Sequence, residues 1–476
     1  MSVSSEEAAI EFREGDYGDR VGVVEPGGIE EIPDGERHGN PLQLLWTWTS
    51  PNLEFATVFI GVLAIIFGLS VWQAAAAIVL GNGLGALGQA VLSARGPEYG
   101  VPQMVLSRAP FGFLGNALPA GIMSLTGGIG WFAVNSVSGT FALNSLTKMP
   151  TTLCLLIVVA AQVVIAFFGH NLVQAFERYA FPLLAVVFVI ASVISLSKSH
   201  FGGGGTGGGL GVFLLTVATV YGYAAGWNPY AADYARYLPR DTDKRKVALY
   251  AGLGLFLSTT ILEIVGAASA TIVVPKDLSP TDAFVFSLPT VVAKLTLLAI
   301  VLGSICANVL NIYSGSLAFL TLGIRIRAHL RRAIVALAFG VLGFALAYYA
   351  LKNPESSYEN FLLVISYWLG PWLGIFLADQ LVRRGARVDG LLFSRKHENW
   401  AAPIIFLVSL VLSIWLFSNQ TEYVGIVPNR VSWIGDVTFI VGFGLSFITY
   451  AVYMRTVRVV DLRDHPAVNA GNPVNT

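Results

Sequence analysis

Twelve apolar runs, each close to or beyond the roughly 18 residues that cross a ~30 Å hydrocarbon core, leave this chain few folds to adopt. They fall near residues 44–70, 71–94, 115–143, 151–168, 173–196, 208–235, 247–272, 289–322, 333–351, 358–382, 401–418 and 433–454. With 55% hydrophobic and only 12% charged residues over 476 positions, the chain has too little polar surface for a soluble globule. Runs of this length are helices, because a helix satisfies its own backbone N–H and C=O groups where no water can. The expected fold class is therefore an all-α integral membrane protein with twelve transmembrane helices.

The 29 lysines and arginines orient it. With the N-terminus placed inside, most fall before span 1, in the even-numbered connections or in the C-terminal tail. The odd connections hold only Lys148, Lys198, Lys276, Lys352 and Arg430, with Lys294 near the outer end of span 8. That asymmetry fits the positive-inside rule with both termini cytoplasmic, in a multi-pass protein of the cell membrane. Residues 1–43 are polar, acidic and Gly/Pro-containing and read as a disordered cytoplasmic tail, and residues 456–476 as a cytoplasmic C-terminal tail; the N-terminal stretch lacks the apolar core of a signal peptide.

Several function classes drop out. Net charge is zero and the basic residues line one membrane face, which argues against a nucleic-acid partner. Cys154 and Cys306 both lie within spans, so neither a disulfide nor a thiol metal site is expected. The six histidines, at 38, 170, 200, 329, 397 and 465, sit at loops or span ends and form no catalytic constellation. The chain reads as a non-enzyme with no cofactor and no bound metal. A passive channel would need a sustained polar stripe, which no span shows.

Two spans are interrupted. Span 1 carries Pro51, Asn52, Glu54 and Thr57 in its first half, and span 6 is broken between Gly222 and Pro229. Span 6 comes five spans after span 1, so the two run in opposite directions, the pattern of an inverted repeat with a binding site between its members. The expected organisation is repeat one over 44–196, repeat two over 208–382, and two extra helices over 401–454. Gly202 to Gly209 reads as a flexible connector ahead of span 6. The G-x-G-x-x-G at Gly83, Gly85 and Gly88 follows no strand and reads as close helix packing.

An ionisable residue inside a span costs roughly 2.5–3.5 kcal/mol on insertion scales and is a functional candidate. Glu54 lies beside the span 1 break, where burial disfavours the charged form and a carboxylate can take up a proton. Glu177, in span 5, precedes Arg178 and could equally be a paired helix end. Glu263, in span 7, has no polar neighbour in sequence and could face a structural partner. Asp233 reads as a gate or topology anchor. Trp131 and Asn135 share a face of span 3 at i, i+4, and Asn308 and Asn311 share one of span 8 at i, i+3, with Ser304 a turn earlier. Core packing and interhelical hydrogen bonds would also explain these residues. Trp131 and Trp227 together with several amides suit a planar, polar, uncharged heterocycle.

On these residues the chain resembles the nucleobase:cation symporter family, and within it the purine-cytosine permeases. The matching positions are Gly127, Gly128, Gly130, Trp131 and Asn135 in span 3; Gly169, His170, Glu177 and Tyr179 in span 5; Gly226, Trp227, Tyr230 and Asp233 in span 6; and Asn308, Asn311, Tyr313 and Ser314 in span 8. Pro102, Gln103, Arg108, Phe111 and Gly112 ahead of span 3 match as well. The resemblance implies a LeuT-type 5+5 inverted repeat and a nucleobase, cytosine or a purine, clamped between spans 1, 3, 6 and 8. It further implies that Trp131 and Trp227 flank the base, that Asn135, Asn308 and Asn311 read its edges, and that Thr57 and Glu177 serve substrate handling. Ala307 and Leu310 stand where the fungal subgroup has Asn and Pro. The usual sodium site of this fold uses hydroxyls on span 8, and only Ser304 is near, so the coupling ion is expected to be a proton, with sodium as the alternative; Glu54, Glu177 and Ser304 are the coupling candidates. Another ring, such as hydantoin, allantoin or a vitamin, is the alternative substrate.

Overall fold

The structure, a computed structural model, describes residues 28–168, 170–203, 205, 207–275, 278–324, 328–352, 354–384, 386–420 and 422–457. Side chains of residues 325–334 and 355 also lie outside this description. Its spans are α1 (Gln43–Thr49) and α2 (Phe55–Ile66), α3 (Val71–Ser93), α4 (Ala117–Leu125) continuing into α5 (Phe132–Thr147), α6 (Thr151–Phe168), α7 (His170–Lys198), α8 (Leu210–Ala225) followed by α9 (Ala231–Ala235), α10 (Lys244–Ser269), α11 (Thr290–Thr321), α12 (Ala328–Ala350), α13 (Pro354–Arg383), α14 (Ala401–Phe417) and α15 (Thr438–Thr456). Among the described residues nine helices are long and apolar enough to cross a membrane, and ten if the bent pair α1–α2 is one span; two shorter apolar helices, Val335–Ala350 and Ala401–Phe417, stand beside them.

The α1–α2 joint bends by 58°. Pro51 sits in a 3-10 turn over Ser50–Asn52, Leu53 leaves helical geometry, and Glu54 is extended at φ −151° and ψ 174°. The other break differs from expectation: Gly226 and Trp227 form a turn, Asn228–Tyr230 a 3-10 turn, and Leu210–Ala235 still runs as one 26-residue span. Pro229 and the turn change the helix type without the sharp redirection seen in span 1.

Small residues decide which helices touch. A Cβ on Gly61 would lie 1.7 Å from the Glu263 carbonyl oxygen and one on Gly266 1.8 Å from that of Val58, so α2 and α10 cross backbone to backbone. The Gly83–Gly88 run does pack helices: a Cβ on Gly85 would meet Ala224 at 2.6 Å and one on Gly88 the Asn228 amide at 2.4 Å, seating α3 on the span 6 break. Around this contact α13 packs between α8 and α15, and α11 lies against α5 and α7.

Two loops are more ordered than their composition suggests. Of the tail expected over 1–43, residues 28–42 are folded across one end of the bundle. Arg37 is buried, its Nε donating to the Ile32 carbonyl at 2.9 Å and its Nη1 to that of Pro97 at 2.5 Å. The Ile32 N–H bonds the Gly100 carbonyl at 2.9 Å and the His38 N–H that of Tyr237 at 2.6 Å. Backbone pairing supplies the order that a low apolar content could not. The glycine connector is pinned likewise, Gly205 N–H to Leu69 O at 3.1 Å and Gly208 N–H to Gly68 O at 2.9 Å, with Gly204 and Thr206 outside the described residues.

If the α2–α10 crossing holds the bundle, Gly266→Ala should destabilise the protein by about 3 kcal/mol or more, beyond ordinary overpacking. Gly121→Ala, whose Cβ would meet only Leu322 at 3.7 Å, should leave the melting temperature unchanged. Thermal unfolding in detergent compares the two.

Candidate substrate site

Where spans 3, 6 and 8 converge, Trp131, Asn135, Tyr223, Trp227, Ala307 and Asn311 line a small cavity. As it stands the space holds about one water molecule, so a ring would enter only as these side chains part.

Asn135 and Trp131 reach this cavity through a distortion that the sequence reading did not foresee. Thr126–Trp131 is a π-helical turn between α4 and α5, and such turns often mark functional sites. Its glycines explain it: Cβ atoms on Gly127, Gly128 and Gly130 would lie 2.5 Å from the Tyr230 hydroxyl, 2.3 Å from the Phe339 ring and 2.4 Å from the Phe361 ring. The widened turn lets three neighbouring rings close in on the span 3 backbone. Trp131 is then boxed edge-to-face by Tyr223 at 5.4 Å, Tyr358 at 6.3 Å and Phe361 at 5.0 Å.

Trp227 is held from the other break. Its Nε1 donates to Asn52 Oδ1 at 3.0 Å, Asn52 Nδ2 donates to the Trp48 carbonyl at 2.7 Å, and the Asn52 carbonyl accepts from Thr57 Oγ1 at 2.7 Å. With that hydrogen committed, Thr57 accepts from the Tyr223 hydroxyl at 2.5 Å. The two interruptions inferred from sequence are thus hydrogen-bonded to each other. Rings continue from Trp227 to Trp48 at 5.8 Å and Tyr234 at 5.5 Å, then to His170, which stacks on Tyr237 at 4.0 Å.

The three asparagines meet. Asn135 Nδ2 donates to Asn308 Oδ1 at 3.1 Å and Asn311 Nδ2 to the same oxygen at 3.0 Å. Asn308 Nδ2 donates to the Phe132 carbonyl at 2.8 Å and to Ser136 Oγ at 3.1 Å. Asn311 Oδ1 accepts from the Tyr230 hydroxyl at 2.9 Å. Asn135 Oδ1 is buried without a partner.

The carboxylates bracket the span 1 break. Glu177 is fully buried and hydrogen-bonded by the Ser50 hydroxyl, with the Cys306 thiol beside it, while Arg178 is turned outward and exposed. The pairing of Glu177 with its sequence neighbour is therefore not what places it. Glu54 is buried at the open N-terminus of α2, facing the Phe55, Ala56 and Thr57 N–H groups, and no side chain pairs with it. Gly303 makes room for it: a Cβ there would lie 2.4 Å from the Leu53 carbonyl and 2.8 Å from Glu54 Cβ. Ser304 faces elsewhere, bonded to the Val301 carbonyl at 2.8 Å and packed where a Cβ on Gly139 would fall. Glu263 has the structural partner envisaged for it, Asn82 Nδ2 at 2.9 Å. Asp233 anchors the stretch before span 3 by accepting the Gln103 N–H at 2.8 Å. Of the residues missed in sequence, Tyr223 and Tyr358 carried no signal beyond being aromatic, whereas Tyr230 lay inside the span 6 motif.

A family described as permease for cytosine/purines, uracil, thiamine, allantoin matches residues 31–442. The chain belongs to the cytosine/purine permease family. YxlA of Bacillus subtilis (strain 168) is 29% identical over 446 residues, covering 91% of this chain and 96% of its own. The purine-cytosine permease FCY2 of Saccharomyces cerevisiae is 28% identical over 478 residues, covering 90% and 85%. Among solved structures, Mhp1, a nucleobase-cation-symport-1 family transporter in a closed conformation with bromovinylhydantoin bound, superposes with a TM-score of 0.71 at 19% identity over 92% of this chain and 96% of that one. The permease is thus a multi-pass, all-α membrane transporter of LeuT-like fold and not an enzyme.

Because Gly127 admits the Tyr230 hydroxyl, Gly127→Ala should displace Tyr230 from Asn311 and weaken ligand binding at least tenfold while the protein still inserts. Isothermal titration on purified protein, beside a membrane-fraction blot, would check this.

Proposed function

We propose that this permease imports cytosine and related purines by proton symport, through alternating access about spans 1 and 6. The observation that carries it is the enclosed cavity between two tryptophans, walled by amides, with the Asn135 Oδ1 acceptor buried and unpartnered. An unmet buried acceptor costs about 1–3 kcal/mol, and a ring N–H would meet it. The aromatic walls supply apolar area for a flat ring, and no arginine or lysine lines the cavity to attract an anion. The family description names cytosine and purines, and the relatives' names agree.

Glu54 is the coupling candidate. A buried charge in hydrocarbon is costly unless paired, so a carboxylate met only by the backbone N–H groups at the start of α2, with no cation beside it, is suited to exchanging a proton as the span 1 joint opens and closes. Glu177, joined to Ser50 on the other side of the joint, would sense the same movement. The protein would sit in the cell membrane with both termini cytoplasmic. A second reading, a same-fold importer of another ring such as hydantoin or allantoin, is favoured by Ala307: it lines the cavity where the fungal subgroup carries asparagine, so one edge of the ligand goes unread.

Uptake of labelled cytosine into proteoliposomes, with adenine, hypoxanthine, uracil, allantoin and hydantoin as competitors under separate proton and sodium gradients, tests this. Proton-driven uptake blocked by cytosine and purines supports the proposal; sodium-driven uptake overturns the coupling, and uptake of allantoin or hydantoin alone overturns the substrate. Trp131→Ala and Asn135→Ala should each reduce uptake at least tenfold with insertion intact. Glu54→Gln should flatten the dependence on the proton gradient, and an unchanged dependence would remove Glu54 from the mechanism.

A further inference from the structure

We infer that Asn308 is a positioning residue rather than a reader of the ligand, and that it presets the hydrogen-bond polarity of the cavity: Asn135 Oδ1 as the acceptor, and the second N–H groups of Asn135 and Asn311 as the donors. This rests on the proposed nucleobase reading and deepens it. An amide nitrogen has two hydrogens to give and an amide oxygen two lone pairs to receive with. All four places of Asn308 are taken by the protein: its nitrogen by the Phe132 carbonyl and Ser136 Oγ, its oxygen by the nitrogens of Asn135 and Asn311. Nothing is left for a ligand.

The direction of that amide is forced. The Phe132 carbonyl can only accept, so the Asn308 nitrogen must face it. Ser136 has a single hydrogen, contested by the Phe132 carbonyl at 2.7 Å and Gln162 Oε1 at 3.0 Å. Gln162 is itself held with its nitrogen donating to the Ser304 carbonyl at 3.2 Å, so its oxygen faces Ser136. Whichever acceptor takes the Ser136 hydrogen, the hydroxyl can only accept from Asn308. The Asn308 oxygen must therefore point at Asn135 and Asn311, and both must turn their nitrogens toward it. Tyr230 agrees, since its hydroxyl donates to Asn311 Oδ1. Asn135 Oδ1 is then left over, buried, as the acceptor with nothing to accept.

The complementary ligand carries an N–H donor beside an acceptor in a fixed order. Cytosine and uracil share one outline but exchange donor and acceptor at their N3 and C4 positions, so they report polarity with little change in shape. The wild-type protein should bind cytosine at least tenfold more tightly than uracil. Asn308→Leu frees both neighbouring amides to turn and should bring that ratio to within about threefold. Asn308→Asp, as the neutral acid, still offers a donor to the Phe132 carbonyl and an acceptor to Asn135 and Asn311, so its ratio should stay within about threefold of wild type.

Dissociation constants for the two bases, measured on purified wild type and both variants at one pH, decide it. Equal weakening of both bases in Asn308→Leu, with the ratio kept, overturns the proposal, as does loss of the ratio in Asn308→Asp. Should the leucine variant fail to fold, the aspartate variant and Asn135→Leu, which should lose the cytosine preference by deleting the acceptor, carry the test. A wild type that binds both bases equally overturns the preset polarity but leaves a nucleobase permease; a wild type that binds neither overturns the substrate reading, and this inference with it.

Discussion

The hydrogen bond between Trp227 and Asn52 joins the two broken spans, and much of the site's geometry depends on it. In hydrocarbon each freed backbone group must find a protein partner. Asn52 supplies several at once: its side-chain oxygen takes the Trp227 indole, its nitrogen caps the Trp48 carbonyl, and its own carbonyl takes Thr57. The Trp48 and Asn52 carbonyls freed at the bend are thereby satisfied, while Gly303 lets α11 approach Leu53 and Glu54 closely. Span 6 needs less repair, because its turn at Gly226 and Trp227 stays nearly in line and α3 buttresses it through Gly85 and Gly88.

On this frame the polar chemistry is concentrated rather than spread. Ser136, Gln162, Asn308, Asn135, Asn311 and Tyr230 form one connected network from α6 to α9. The members of such a buried network orient one another and here leave Asn135 Oδ1 as the unpaired acceptor. The rings do the complementary work: Trp131 is fixed by three edge-to-face neighbours, so a ligand would meet a wall already set in place, at little ordering cost on binding.

The parts of this arrangement legible in the sequence were those set by local chemistry. Apolar runs located the helices, proline and glycine located the breaks, and i, i+4 or i, i+3 spacing put Trp131 with Asn135 and Asn308 with Asn311. What stayed hidden depends on partners far along the chain. The π-turn at Thr126–Trp131 needs Tyr230, Phe339 and Phe361 to fill the space its glycines leave. Spacing shows that Asn308 shares a face with Asn311, but not that its hydrogens are already committed to Phe132 and Ser136. Glu263 finds Asn82 at 181 residues' separation. Residues 28–42 fold without an apolar core of their own, through backbone pairing that composition does not register.

Substrate and coupling ion, as proposed, would act on the same joint. Asn52 and Glu54 lie two residues apart on either side of Leu53, within the 58° bend. A ring against Trp227 bears on Asn52 through one hydrogen bond, and any rotation of Asn52 turns the Leu53 peptide that leads into Glu54. Conversely, in the proposed coupling a proton on Glu54 would remove the charge at the N-terminus of α2, which favours negative groups, and so would loosen the hold of α2 on the joint. Neither event need be sensed at a distance. Two ligands that bias one short stretch of backbone between the same two arrangements are coupled by that stretch, and each favours the other by an equal free energy.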